Sequence, residues 1–295
     1  MLLLTEPFAE LASPADALSA ALVEDRHQEA LALFETLVRE DTIGGTLTVW
    51  ADLIALVQPS GKDAFVEVGQ KVPHGAWLPH AVALVDAVSD LSRVQQAGQK
   101  AFQELRGENR ERLFAGLAVG ARSVLDLAGG MQRLLDCAAL HHSCAGPQFT
   151  DPARARLVSV AAWVIAAYAA SEHEAANERA ATLVGSGPYA LEMLIALWLQ
   201  VTSAVTRGGE KLLIEVDARD GMPQAVVDPT SAHPALPAVR LIQAAVNALQ
   251  RQDRTALDDA TRRIAALSDE AKTDLVLQLA RSLAASVGPR LGEPL

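Results

Sequence analysis

The sequence is poor in cysteine and in aromatic residues, and each shortage excludes a class of fold or site. Two cysteines in 295 residues do not make a disulfide framework, and so low a count favours a reducing compartment. Aromatic residues make up 4% of the chain although hydrophobic residues make up 50%, so Ala, Leu and Val supply most of the apolar surface. This composition favours packed α-helices.

The sequence also has no hydrophobic run long enough to cross a membrane. Its longest apolar run, residues 157–170, is shorter than the roughly 20 residues that a bilayer requires, and it predicts a buried core helix. The N-terminal segment MLLLTEPFAEL contains no basic residue, and its apolar run ends at Leu4, which is too short for an export signal. We therefore expect a soluble, cytoplasmic protein without a membrane partner.

Lysine is scarce and acidic residues are in excess. The formal net charge is -11 and the sequence pI is about 5.1, so the chain as a whole repels a phosphate backbone. The densest basic stretch, residues 106–112 (RGENRER), alternates with acidic and amide residues and is typical of the solvated start of a helix. We expect no nucleic-acid partner, and the preference for arginine over lysine fits a GC-rich bacterial genome.

Sequence signatures of catalysis are missing as well. The chain contains no GxSxG, HExxH or P-loop motif, no GxGxxG that opens a helix after a strand, and no pair of CxxC motifs. These absences remove the direct argument for an enzyme, and we expect a protein without catalytic activity.

What the sequence does contain is an internal repeat. Residues 65–68 read FVEV and residues 213–216 read LIEV. The same spacing relates three further pairs of residues: Trp50 with Trp198, Val57 with Val205, and Gly61 with Gly209. Alanine-rich and leucine-rich helices align by chance, but this ordered series that includes two of the four tryptophans does not arise so easily. The series predicts an internal duplication.

The flanking segments extend the repeat with small shifts of spacing. Residues 36–38 (TLV) recur at 182–184, and His27 has its counterpart in His173, at a spacing two residues shorter. Downstream, residues 77–93 resemble residues 235–251, where the second copy has gained an insertion. Each copy therefore predicts three helices, a short extended segment and three more helices, the last of which runs from about residue 109 to 136 in the first copy.

These patterns predict a mainly α fold with two tandem, internally duplicated lobes of helical hairpins, arranged as an α-bundle or a short α-solenoid. The expected organisation is a first copy at residues 13–145 with an extended segment at 63–70, a linker at 146–150, a second copy at 151–288 with a β-hairpin at 211–228, and a tail at 289–295.

The hairpin is predicted from the alternating segment LLIEVDARDGMPQAVV around Asp220-Gly221, a pair suited to a tight turn. An isolated two-stranded hairpin is only marginally stable in water. We therefore expect residues 65–68 to add a strand to residues 212–227 where the two copies meet at a pseudo-symmetry junction.

One segment has metal-ligand character. The sequence CAALHHSC contains Cys137, His141, His142 and Cys144. On a helix, Cys137 and His141 share a face, and Cys144 would reach them from the following loop, so these side chains would hold zinc. The alternative is a small buried cysteine at a helix C-terminus, where histidines favour the negative end of the helix dipole.

Two further interpretations concern single side chains. Glu67 and Glu215 occupy equivalent positions and would form a catalytic carboxylate pair if the copies are related by a twofold axis. Their alternative role is that of solvent-facing strand residues. Tryptophans are expected in the core or between helices at all four positions: Trp50, Trp77, Trp163 and Trp198. Trp77, in a loop beside Gly75 and Pro79, is also a candidate partner-facing anchor.

Three functional hypotheses follow. The leading one is a non-enzymatic helical scaffold or regulator that binds another protein, because tandem helical hairpins expose extended grooves. The second is a small-molecule-binding protein or an enzyme with a pocket between the two copies. The third is a metal or redox sensor that uses the cluster at residues 137–144. A homodimer is compatible with each of them.

Overall fold

The computed structural model describes residues 8–58, 61–66, 68–145, 151–206, 215–216, 225–226, 236–288 and 291. The described chain is mainly helical, which confirms the predicted fold class at that level. It divides into two compact units, residues 1–131 and 132–295.

The first unit contains eight helices in its described residues. They are α1 (Phe8–Val23), α2 (His27–Arg39), α3 (Ile43–Val57), α4 (Gly61–Ala64), α5 (Val68–Lys71), α6 (Leu78–Ala87), α7 (Leu91–Glu104) and α8 (Glu108–Leu127). Helices α1, α3 and α8 pack against one another and form the centre of the unit. Helix α2 lies beside α1, and the hairpin of α6 and α7 lies beside α3.

The second unit begins next to a glycine pair. Helix α9 (Met131–Cys144) crosses the boundary, and six more helices follow in the described residues: α10 (Pro152–Ala169), α11 (His173–Val184), α12 (Pro188–Val205), α13 (Leu236–Arg251), α14 (Arg254–Ala265) and α15 (Asp269–Val287). Helices α10, α12 and α15 pack against one another, α11 lies beside α10, and α13 and α14 form a hairpin beside α12.

Local signals explain where several helices start and stop. The Asp90 carboxylate accepts hydrogen bonds from two backbone N–H groups at the start of α7, and Asp253 and Ser268 cap α14 and α15 in the same way. Pro188 occupies the first turn of α12, where its missing N–H costs nothing. These side chains satisfy donors that the helices themselves leave free.

The turn between α1 and α2 has the same geometry as the turn between α10 and α11. Asp25 and Ser171 both adopt a left-handed backbone, with φ of 55° and 68°. The N–H of the next residue in each case donates to a carbonyl five residues earlier, at 2.9 Å. The helices that follow start at His27 and His173, the pair that the sequence repeat aligns.

Tryptophans fill both cores, as predicted. Trp50, Trp163 and Trp198 have no exposed surface. The indole N–H of Trp50 donates to the carbonyl of Ala15 at 3.0 Å, which ties α3 to α1. Large buried aromatic side chains contribute heavily to core stability.

The predicted extended segment at residues 63–70 is wrong. Residues 61–64 and 68–71 form the short helices α4 and α5, and Phe65 and Val66 lie in the turn between them. The Phe65 ring is buried edge-to-face against Trp77, with ring centroids 5.8 Å apart. Phe65 and Val68 thus face the core of their own unit, whereas Val66 is exposed. None of the described residues of this segment is in a strand.

The second unit contains β structure at the residues that the sequence aligns with FVEV. Glu215–Val216 (β1) and Ala225–Val226 (β2) pair antiparallel, with Glu215 opposite Val226. The turn of the predicted hairpin and most of its strand residues lie outside the described residues, as does the predicted linker at 146–150.

The first copy's last helix is shorter than predicted. Helix α8 ends at Leu127, and α9 starts at Met131, whereas the hydrophobic pattern predicts one helix to about residue 136. Gly129 and Gly130 between them have φ of 75° and 105°, a conformation that glycine adopts without strain and that ends a helix.

Of the helices in the described ranges, α12 is long and apolar enough to cross a membrane by length and composition. More than half of it is buried within the fold, which is typical of a core helix. The run at residues 157–170 lies mostly within α10, whose central residues are fully buried, as predicted.

Candidate functional site

Helix α2 carries the feature that best suits a binding surface. Its inner side is buried through Ala30 and Leu37, and the Phe34 ring meets Phe114 of α8 edge-to-face, with centroids 5.4 Å apart. These contacts fix the helix on the body of the first unit.

The same helix leaves two large apolar side chains in solvent. Leu31 is 59% exposed and Val38 is 53% exposed. Seven residues separate them, which is about two helical turns, so they lie on one side of α2 roughly 10 Å apart along its axis. The half-buried Phe34 lies between them and the buried face. The apolar sector of α2 is therefore wider than the part that its own unit covers.

Acidic residues surround this apolar sector. Residues 24–41 contain six exposed acidic side chains against two arginines: Glu24, Asp25, Glu29, Glu35, Glu40 and Asp41, with Arg26 and Arg39. Arg26 forms ion pairs with both Glu24 and Glu29, so its charge is locally compensated. We name the exposed side of α2, with Leu31, Phe34, Glu35 and Val38, the α2 surface.

Helix α11 of the second unit, which the sequence aligns with α2, has a different residue at the position of Leu31. Helix α11 has Asn177 at the position of Leu31, by the same spacing that relates His27 to His173. The amide oxygen of Asn177 accepts hydrogen bonds from the Tyr168 hydroxyl at 2.6 Å and from Arg281 at 2.9 Å. This polar side chain binds α11 to α10 and α15. Leu31 is thus exposed and apolar in the first unit, whereas the aligned Asn177 is polar and hydrogen-bonded within the second unit.

Of the cysteine and histidine cluster, Cys137 and His141 are in contact, with Sγ and Nδ1 3.7 Å apart, whereas His142 and Cys144 contact other side chains. The Cys137 thiol is fully buried and donates to the Ala162 carbonyl at 3.1 Å. The His142 ring lies 3.2 Å from the Ser159 hydroxyl, and Cys144, at the helix end, lies beside Ser143. In the described part of the chain, no three His, Cys, Asp or Glu side chains are grouped as metal ligands. The zinc site stays a sequence prediction.

Burial controls the protonation of this cluster. Desolvation raises the pKa of the Cys137 thiol, so the thiol stays protonated. It lowers the pKa of His141 from 6.5 to about 4, although a hydrogen bond to the Cys137 carbonyl, at 2.8 Å, opposes this shift. That carbonyl accepts from Nδ1, so the neutral ring carries its proton there. The arrangement is that of a packed helix C-terminus.

The remaining predicted site residues do not form a site in the described residues. Trp77 is fully buried, and its indole N–H donates to the Pro73 carbonyl at 3.0 Å, so the prediction of an exposed anchor is wrong. Neighbouring glycine and proline suggested a loop, but the indole fills the core below it. Glu67 lies outside the described residues, and for Glu215 only the backbone is described, so their pairing stays a prediction.

Sequence reasoning missed the α2 surface although the signal was present. Leu31, Phe34, Leu37 and Val38 all fit a helical period, which predicts an amphipathic helix without telling which of the four are exposed. An apolar sector that wide exceeds what one neighbouring helix covers. No protein-family model, curated protein or solved structure matches this chain.

Proposed function

We propose that this protein is a non-enzymatic helical interaction module that binds another protein through the α2 surface. The single observation that carries the proposal is the exposure of Leu31 and Val38 together on one side of a helix whose opposite side is anchored in the core. Side chains of this kind, clustered and apolar, are typical of the centre of a protein interface.

The charge around the α2 surface indicates the chemistry of the partner. A strongly acidic rim favours a partner with basic residues at the edge of its contact face. Leu31 and Val38 lie at the helical spacing of an amphipathic contact, which suits an apolar stripe on a partner helix. The partner we propose is a protein that presents an amphipathic helix with basic flanks. A second copy of this acidic chain fits the surface less well.

We also infer that the two units arose by duplication and that only the first kept or gained the binding surface. The support is the matching order of the long helices, the matching helix contacts and the matching left-handed turns at Asp25 and Ser171. Under this proposal, α11 has a structural role, because Asn177 hydrogen-bonds to Tyr168 and Arg281, and α2 binds the partner.

A photocrosslinking experiment tests the proposed surface. A photoreactive amino acid replaces Leu31 in the full chain, which is expressed in cells of the native host. We expect one protein to be covalently captured, through a segment with a basic amphipathic helix. The same replacement at Leu91, which is 42% exposed on α7, is the control and should not capture that protein. Equal capture from both positions would contradict the proposal.

The affinity of the captured partner provides the second measurement. The double variant Leu31→Asn/Val38→Thr should weaken the dissociation constant at least about tenfold, or ~1.4 kcal/mol, because both apolar contacts are lost. The control Leu91→Asn makes a comparable change at an isolated leucine and should alter it less than about twofold. Raising the salt concentration should also weaken binding, since acidic and basic rims attract each other.

A further inference from the structure

The first unit contains a pocket of about 310 Å³ between three helices. Its walls come from the C-terminal part of α3, from α5 and from the second half of α8. This volume is at the lower end of those that bind small molecules in proteins. It corresponds to about ten water molecules at about 30 Å³ each, and hence to a small ligand.

The pocket changes from apolar to polar between its floor and its mouth. The floor consists of four buried residues: Ile54, Val68, Gly120 and Val124. Val57, Val119 and Leu127 are half-buried and form the sides. At the mouth lie Lys71 and Ser123, which are exposed, and Gln58, which is half-buried. A ligand with an apolar body and a polar head would match this gradient.

Gly120 keeps the floor of the pocket narrow and smooth. A Cβ at this position would lie 2.8 Å from Cδ1 of Ile54 and 3.7 Å from Cγ2 of Val68. The missing side chain therefore lets α3 and α5 approach α8 closely at the bottom of the pocket. A ligand reaching this point contacts aliphatic groups from three helices, which provides burial without a hydrogen-bonding requirement.

The mouth determines the charge of the ligand. Of the ten described residues that line the pocket, only Lys71 is charged. The Ser123 hydroxyl donates to the Val119 carbonyl at 3.0 Å, within its own helix. Lys71, with its ammonium group, and Gln58, with its amide, are the remaining side-chain donors at the mouth. Such donors suit a carboxylate, which accepts hydrogen bonds only.

We propose that this pocket binds a small aliphatic monocarboxylate, with the chain against Ile54, Val68 and Val124 and the carboxylate beside Lys71. This site is separate from the α2 surface and does not depend on the proposed protein partner. Octanoate, which has ten heavy atoms, is the probe that matches the volume of the pocket.

Calorimetric titration of the full chain with octanoate measures the binding. We expect saturable binding with a dissociation constant of about 1 mM or tighter. Hexanoate should bind about fifteenfold more weakly, since it buries two fewer methylene groups. Octanol, which has the same chain without the charge, should also bind at least about tenfold more weakly than octanoate.

Two lysine variants separate the proposed site from general binding of a surfactant. Lys71→Met should weaken octanoate binding at least about tenfold and leave octanol binding unchanged. The control Lys100→Met removes a lysine on α7, in the same unit, that pairs with Glu104 instead of lining the pocket, and it should have no effect. Ser123→Phe, at an exposed position of the mouth, should reduce the affinity for both ligands by obstructing entry.

Methyl NMR of the full chain locates the ligand. Octanoate should shift the methyl signals of Ile54, Val68 and Val124 and leave those of the buried leucines Leu275 and Leu279 of α15 unchanged. Three results would overturn the proposal: no saturation by about 10 mM, equal affinity of Lys71→Met and the unchanged protein, or shifts spread over both units. Binding of octanol as tight as that of octanoate would equally remove the role assigned to the charge.

Discussion

The long helices are arranged similarly in the two units. The units differ in one connecting segment, which lies between α3 and α6 in the first unit and between α12 and α13 in the second. In the first unit this segment folds as the short helices α4 and α5 and packs Phe65 and Val68 into the core. In the second unit the aligned segment contains the antiparallel pair of β1 and β2. Within the similar sequences FVEV and LIEV, Val68 thus lies in α5, whereas the aligned Val216 lies in β1.

This difference shows which part of the fold is constrained. The central helix trios, α1 with α3 and α8 and α10 with α12 and α15, recur because each buries a continuous apolar surface. The connecting segment recurs in sequence but not in conformation. The pocket of the first unit lies against this variable segment, where α5 forms one wall.

The largest predicted effect concerns Trp77, which the second copy replaces with Ala235 in the aligned sequence. The Trp77 ring packs directly on Gly116 of α8, and a Cβ at Gly116 would overlap the ring. Gly116→Ala should therefore destabilise the protein by ~3 kcal/mol, although the same change in a helix usually stabilises. Chemical denaturation followed by tryptophan fluorescence measures this loss.

A matched glycine in the same unit provides the control for this prediction. The space beside Gly98 on α7 is open, since the nearest atom to an added Cβ would be Cδ2 of Leu84 at 4.0 Å. Gly98→Ala should be neutral or stabilising by about 0.5 to 1 kcal/mol. If both substitutions stabilise the protein equally, Trp77 is not packed on α8 as described.

The second prediction uses α9, which leads into the second unit. His141 is fully buried, and its pKa is lowered to about 4 because burial disfavours the charged ring. Above pH 6.5 the ring is neutral in the folded and unfolded states, so it adds no pH dependence. As the pH falls below 6.5, the unfolded chain binds a proton that the folded protein excludes, and stability is lost until about pH 4.

We expect His141 to account for a loss of ~2 kcal/mol between pH 7 and pH 5. Hydrogen exchange should show the loss first in the second unit, which contains α9. His141→Gln removes this ring and should remove its part of the pH dependence, while His142, whose pKa burial also lowers to about 4, keeps its own part. His27→Gln, at an exposed position on α2, is the control and should leave it unchanged. An equally steep acid response in His141→Gln would show that another group is responsible.

The helical parts of the fold are largely predictable from the sequence, and the exceptions have physical causes. Three long helices precede residue 58, as the pattern of the first copy predicts, and the tryptophans of α3, α10 and α12 are buried as expected. The segment FVEV has β propensity, but the core contact of its Phe65 with Trp77 overrides that propensity. Gly129 and Gly130 end α8 through positive φ angles that a hydrophobic pattern does not encode.

The candidate sites are less predictable because exposure depends on tertiary packing. Trp77 in a glycine-rich and proline-rich loop gives the same sequence signal whether it faces solvent or the core. Leu31 and Val38 fit the helical spacing of apolar residues as well as Leu37 does, although of these three residues only Leu37 is buried. The pocket combines residues from three helices that are far apart in the chain, so no local motif marks it.

The smallest predicted effect exchanges the residues that distinguish α2 from α11. Asn177→Leu should destabilise the protein by ~1.5 kcal/mol, because the Tyr168 hydroxyl and the Arg281 guanidinium each lose a hydrogen bond to the amide oxygen. The reciprocal change, Leu31→Asn, affects a side chain that is 59% exposed and should alter the free energy of unfolding by less than about 0.5 kcal/mol. Denaturant titration of both variants measures the asymmetry. Equal costs would mean that Leu31 contributes to the core of its unit as Asn177 does, which would remove the reason to assign it to recognition.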